Sequence, residues 1–308
     1  MIEYNRYSWW QTTFSWRGTA LRRAGFRVAF FTLYAAVLQA VFETGTGVGW
    51  LNEQQFLGLD PVGHAVLGSL LGFLIVFRMN ASNDRYWEGR SHWGAMINAS
   101  RNLVRFGAEF TTGGAELAAL VAGYVICVRR SLQGQRDTRE ADVYLPQYVC
   151  DQARRFGNVP TAVAAAMTEW IARHYRAGKI DSVLVQQAEM QLCEMVSAQG
   201  GCEKIQKTPL PFAYVAMIKQ IIMVYLLTLP LVLCERCGWW SPLLMAIISI
   251  GLLGMEEASV EIEDPFGVDD NCLDMTTYTL IIARDAGQLA HRCDLRDSGT
   301  FPIGRPGG

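Results

Sequence analysis

The chain has 308 residues, 51% of them hydrophobic and 18% charged, with a formal net charge of −2. Soluble proteins carry roughly 25% charged residues, so this balance points to a membrane protein with a substantial aqueous part. Basic residues are mixed among acidic ones, which leaves no electrostatic footprint for nucleic acid.

The opening residues, MIEYNRYSWWQTTFSWRG, are aromatic and polar and lack the apolar core and small-residue cleavage site of a signal peptide. Any insertion into a bilayer is expected to use internal segments. The first such segment covers residues 26–42, and Arg17, Arg22, Arg23 and Arg27 mark its N-terminal side as cytoplasmic. Residues 43–60 contain no Lys or Arg and read as an external loop, whose glycines form turns rather than a phosphate cradle. Asp60-Pro61 is a helix start, with Asp as N-cap and Pro at the first helical position. Residues 61–77 are apolar enough to enter a bilayer, and at Arg78 the sequence turns polar with no Gly-Pro break in the helical pattern. One long helix is predicted, half in lipid and half in cytosol, with Arg78, Arg85, Arg90, Arg101 and Arg105 on the cytosolic side.

Along the membrane half of that helix, Ser69, Phe73 and Phe77 recur every fourth residue and share one face. That face could line a passage. Gly68 and Gly72 form a small-xxx-small pair beside it, where another helix could approach closely. Ordinary helix packing is the competing explanation for all five residues.

Residues 109–207 alternate apolar and polar at helical period, with breaks at Gly113-Gly114, 133–142, Asn158-Val159-Pro160 and Ala177-Gly178. They read as a soluble helical bundle, including helices at 161–176 and 182–198, the latter capped by Asp181 or Ser182. A third span starts after Thr208-Pro209-Leu210-Pro211; Lys219 within it must snorkel or face protein or water. Pro230 is expected to kink that helix. Ser241-Pro242, an N-cap and Pro pair, opens a fourth span running to about residue 255, with Trp239 and Trp240 as an interfacial anchor. The chain then exits into Glu256, Glu257, Glu261, Glu263 and Asp264, so four crossings would leave both termini inside. The predicted organisation is a cytosolic N-terminal segment (1–25), two membrane helices with a pore neck (26–78) and a cytosolic helical region (79–208). Two further membrane helices (209–260) and a cytosolic acidic loop with a loosely held tail (261–308) complete it.

Few motifs could carry chemistry. The eight cysteines are scattered through a long chain and read mostly as reduced, buried thiols. Cys234 and Cys237 form the single C-x-x-C, a candidate redox pair or local disulfide, without the two further ligands a zinc site needs. The four histidines, His64, His92, His174 and His291, show no metal-ligand spacing. Glu263, Asp264, Asp269 and Asp270 belong to an acidic loop whose oxygen ligands suit a hard cation such as calcium. The loop lacks the alternating register of an EF-hand, and a structural turn with solvated carboxylates is the simpler reading.

Three motifs together resemble the bestrophin family: Trp16-Arg17-Gly18, the run FRMNASNDRYWEGRSHWGA from Phe77, and EDPFGVDDN from Glu263 to Asn271. The segment GCEKIQKTPLPFAY, residues 201–214, is similar to bacterial members, and the match covers about residues 5–280 in order. The resemblance implies an all-α, multi-pass membrane protein assembling as a homopentameric ion channel around a central axis. It implies that Ser69, Phe73 and Phe77 form a hydrophobic neck and that Val183 forms a second, cytosolic constriction. A ring of Phe side chains would be a narrow apolar constriction gating by dewetting, and ring edges turned to the axis would favour anions over cations. Two departures stand out. Val268, Asn271 and Cys272 interrupt the acidic cluster that holds calcium in calcium-gated members, and Ser69 is polar where the neck is commonly apolar.

The leading expectation is therefore passive conduction of chloride and other small anions, without enzymatic activity and without a required cofactor. The partners expected are further copies of the chain, the lipid bilayer and small inorganic ions, and the location expected is a bacterial inner membrane. A sodium or potassium channel of the same fold is the alternative within this class. A membrane thiol oxidoreductase built on Cys234 and Cys237, and a non-conducting scaffold, are the alternatives outside it.

Overall fold

The computed structural model describes residue 7 and residues 9–15, 18–48 and 60–297. Trp16 and Arg17 of the first motif, most of the expected external loop and most of the expected tail lie outside the described residues. The described chain is all helix, without a strand: α1 (Trp9–Thr13), α2 (Leu21–Gly47), α3 (Pro61–Phe110), α4 (Gly114–Leu132) and α5 (Gln147–Ala153) are followed by α6 (Val159–Arg176), α7 (Ser182–Lys207), α8 (Phe212–Cys237), α9 (Ser241–Glu263) and α10 (Met275–Asp297).

Contacts divide the described residues into two compact units. One draws on Met1–Trp87, Pro209–Pro265 and Asp269–Cys272; the other draws on Glu88–Thr208, Phe266–Val268 and Leu273–Gly308.

The first unit holds the apolar helices. Three stretches among the described residues are long and apolar enough to cross a membrane: Leu21–Gly45, Pro61–Phe110 and Phe212–Glu263. The third is two helices, α8 and α9, packed on each other and joined by a short 3-10 turn at Gly238–Trp240. Their shared core follows from helical stripes. Ala24, Val28, Phe31 and Ala35 of α2 meet Leu71 and Ile75 of α3, Ile218, Ile222, Leu226 and Leu229 of α8, and Met245 and Leu253 of α9. Gly68 lets Tyr225 of α8 approach so closely that a Cβ there would lie 2.8 Å from the phenol oxygen, which is the close approach its spacing predicts. Gly72 has open space at the same distance.

Capping chemistry holds at Asp60 and fails at Ser241. Asp60 Oδ1 accepts a hydrogen bond from the Val62 amide at 3.0 Å, and α3 then runs unbroken for 50 residues, about 75 Å. Ser241 does not cap α9: the N-cap is Trp240 with no side-chain hydrogen bond, and Ser241 is buried as the first helical residue. Pro230 sits inside α8, which continues seven residues beyond it to Cys237.

The second unit is built around α4, which is buried on nearly every side and packs against α6, α7 and α10. Asn158 caps α6 by accepting from the Thr161 amide, and Asp181, rather than Ser182, caps α7 by accepting from the Leu184 amide at 2.8 Å. Helix α7 extends nine residues past its predicted end, straight through Gly200-Gly201. The reason is packing: a Cβ at Gly201 would sit 2.3 Å from the His92 ring, so the glycine is there for close approach and not to end the helix. Tyr124 is buried in this core and donates its hydroxyl to Gln199 Oε1 at 2.8 Å.

Candidate functional site

The two faces of α3 have opposite fates. Leu71, Ile75, Arg78 and Ser82 are at most 2% exposed, whereas Phe73 and Phe77 are 66% and 63% exposed and Ser69 is also exposed. Two residues along a helix is a turn of about 200°, so the buried stripe and the aromatic stripe point in nearly opposite directions. Within its most apolar window α3 is only 17% buried by its own chain, the least of the three membrane-length stretches. The aromatic face is thus left for lipid or for other protein. Ser69 donates its only hydroxyl proton to the Ala65 carbonyl at 2.9 Å, which leaves oxygen lone pairs to face outward. Two turns beyond Phe77 the same stripe reaches Asp84, which is exposed.

The other side of α3 is fastened by polar groups. Arg78, 1% exposed, faces Glu256 Oε1 at 3.5 Å and Glu263 Oε2 at 3.8 Å. One turn on, the Ser82 and Ser259 hydroxyls lie 3.1 Å apart, and Arg85 Nε donates to the Glu263 carbonyl at 3.1 Å. Glu256, 2% exposed, is shared: Arg27 of α2 lies 3.6 Å away and Lys219 of α8 lies 3.4 Å away. Lys219 therefore faces protein, one of the outcomes its place in an apolar span requires. An isolated charge at this depth would cost several kcal/mol, and one carboxylate answers a cation from each of three helices. The sequence signal for Glu256 was present in the same rule that flags Lys219, because intramembrane charges come with partners.

The family-like motifs meet here. Gly18, at φ +73°, a conformation that favours glycine, turns its carbonyl to Asn271 Nδ2 at 2.9 Å, and the same amide donates to Glu261 at 2.7 Å. Arg23 donates to Asp269 and lies 3.7 Å from Glu261. Arg27 is bonded to Glu257. Of the acidic loop residues, Glu263 holds Arg78 and accepts from the Leu210 amide at 3.1 Å, and Asp264 offers its backbone oxygen to Cys272 Sγ at 3.4 Å. Two of the four candidate calcium ligands, Glu263 and Asp269, are thus engaged with this chain's own donors. Among the described residues no group of three or more His, Cys, Asp or Glu is arranged to hold a metal ion.

The remaining candidates are scattered. Val183, the second residue of α7, is 58% exposed in the second unit. Cys234 is a buried free thiol 3.9 Å from Ser241 Oγ, and Cys237 is a half-buried free thiol. In the second unit, burial pushes the Cys127 and Cys202 thiols up to about 12, so both stay protonated and unreactive at neutral pH.

Comparison with known proteins bears on the family and the fold. A family profile described as Bacterial/Fungal Bestrophin protein matches residues 1–287. A voltage-dependent anion channel-forming protein of Ralstonia nicotianae is 30% identical over 290 residues, covering 92% of each chain. One of Nostoc sp., with the same description, is 27% identical over 294 residues, covering 91% of each. Among solved structures, a bestrophin homologue from Klebsiella pneumoniae with a single tryptophan-to-alanine substitution superposes with a TM-score of 0.82 at 22% identity, covering 90% of this chain and 100% of that one. A second from the same organism gives 0.79 at 22% identity, covering 86% of this chain and 98% of that one.

Proposed function

The chain belongs to the bacterial and fungal bestrophin family, a channel family and not one of enzymes, and from that premise we propose that it is a passive anion channel assembled from five copies. The observation that carries the reading is the uncovered face of Ser69, Phe73 and Phe77 on a helix whose opposite side is locked to α9. One such face encloses nothing; a closed ring of copies does, and cyclic symmetry supplies it. Four helices per copy, α2, the first part of α3, α8 and α9, cross the inner membrane with both termini in the cytoplasm, and Val183 lines a second constriction. Phenylalanine rings around the axis hold the passage narrow and poorly wetted, and ring edges offer weak stabilisation to a partly dehydrated chloride. The relatives' description as anion channel-forming proteins supports the sign of the ion. No cofactor is needed on this reading.

A cation channel of the same build is the second reading, favoured by the outward lone pairs of Ser69 and by exposed Asp84 on the same stripe. Reconstitution into liposomes tests both. Chloride flux down a gradient that rises in Phe73→Ala and Phe77→Ala is expected; silence of the wild type and both variants would sink the channel. The reversal potential under asymmetric potassium chloride decides between the ions.

A further inference from the structure

From Pro61 to Trp87, the part of α3 that belongs to the first unit, the charged side chains besides histidine are Arg78, Asp84 and Arg85. Both arginines are turned toward the protein. Arg78 is buried against Glu256 and Glu263, and Arg85 is half-buried with its Nε on the Glu263 carbonyl. Asp84 is exposed and has neither a hydrogen-bond nor an ion-pair partner among the described residues. The acids of α9 behave otherwise: Glu256, Glu257, Glu261 and Glu263 each lie beside a cation. Asp84 is thus a full negative charge that the fold leaves to water.

Its place on the helix gives that charge a direction. Seven residues of α-helix fall about 20° short of two full turns, so Asp84 projects from nearly the same side as Phe77, about 10 Å further along the axis. Asn80 lies between them and is also exposed. Along this one face the side chains therefore change from Phe73 and Phe77 to Asn80 and then Asp84, from an apolar stretch to a hydrated carboxylate. Beside a low-dielectric wall the field of such a charge is focused rather than dispersed.

We propose that Asp84, repeated around the axis, forms a ring of negative charge at the cytosolic mouth of the neck and makes conduction unequal in the two directions. This rests on the channel and topology given under the proposed function, and not on the sign of the ion. The ring depletes anions and enriches cations on one side of the constriction only. Where chloride carries the current, its supply from the cytosol is starved and inward current shrinks. Where a cation carries it, the cytosolic supply is enriched and outward current grows. Both cases give outward rectification, and the limb that changes when the charge is removed identifies the ion.

Currents of the full chain in inside-out patches from giant spheroplasts, where the cytosolic side is known, test this in symmetrical potassium chloride. At about 0.1 M salt the ratio of outward to inward current at equal and opposite voltages is expected to be about threefold, the change in local ion concentration that a mouth potential of about one kT produces. At about 1 M, where the screening length falls from about 10 Å to about 3 Å, the ratio is expected to approach one. Asp84→Glu is expected to keep the low-salt ratio, Asp84→Asn to bring it close to one, and Asp84→Lys to invert it. A low-salt ratio near one in the wild type, a ratio unchanged in Asp84→Asn, or one indifferent to salt overturns the proposal. So does equal loss in Asp84→Glu and Asp84→Asn, which would mark the residue as structural. Silence of the wild type removes the channel and the ring together, whereas currents indifferent to Asp84 remove the ring alone.

Discussion

Neutralising Glu256 should damage the protein more than neutralising Arg78, although the two face each other in one buried pair. Breaking a buried ion pair from one side costs about 3–5 kcal/mol, because the abandoned charge stays buried. Arg78→Gln leaves Glu256 with Arg27 at 3.6 Å and Lys219 at 3.4 Å, so its cost belongs at the lower end, about 3 kcal/mol. Glu256→Gln leaves three cations without their shared anion, and Arg78, 1% exposed, keeps only Glu263 at 3.8 Å. Its cost belongs at the upper end, about 5 kcal/mol. At about 2 °C per kcal/mol for a chain of this size, the thermal midpoints in detergent should drop by about 6 °C and about 10 °C. Tryptophan fluorescence melts read both. The double variant should cost less than the sum of the two, since the residues touch. Equal drops, or a larger drop for Arg78→Gln, would refute the account of Glu256 as a shared counter-ion.

Further outcomes follow from other sites. Gly201→Ala drives a methyl toward the His92 ring and should cost about 1–3 kcal/mol, whereas Gly72→Ala, with open space around it, should be close to neutral in the same melts. In the second unit, hydrogen bonds from Arg130 and Thr138 hold the Asp137 and Asp142 carboxyls below the usual range. Their folded pKa values are depressed, so their contribution is complete at neutral pH. It should be lost as pH falls below about 4, and helical content followed from pH 7 downward checks this. Maleimide labelling of the folded protein should reach exposed Cys193 and spare buried Cys127 and Cys202; labelling of the buried pair at the same rate would contradict their burial.

Local chemistry was readable in the chain and distant pairing was not. The Asp60-Pro61 start and the unbroken run past Arg78 foretold α3, because capping and the absence of helix breakers act within a few residues. The aromatic stripe was legible from a spacing of four. The extension of α7 through Gly200-Gly201 was not, since the glycine answers a side chain on another helix. Nor was α10, whose role depends on packing against α4 far upstream. Arg78 read only as a marker of sidedness; its partner lies 178 residues later, and no local pattern links two residues across such a distance.

The order in which the counter-ions are translated has a consequence for biosynthesis. Arg27, Arg78 and Lys219 each emerge from the ribosome before Glu256, the one acid that answers all three. Synthesis proceeds at about 5–20 residues per second, so the earliest of these cations waits about 10–45 seconds for its mate. Until α9 arrives, the nascent helices have reason to linger at the lipid–water boundary or beside the insertion machinery, and final docking becomes a late, concerted step. A ribosome stalled between residues 219 and 256 should therefore expose its membrane helices to protease, and release of the stall should protect them together.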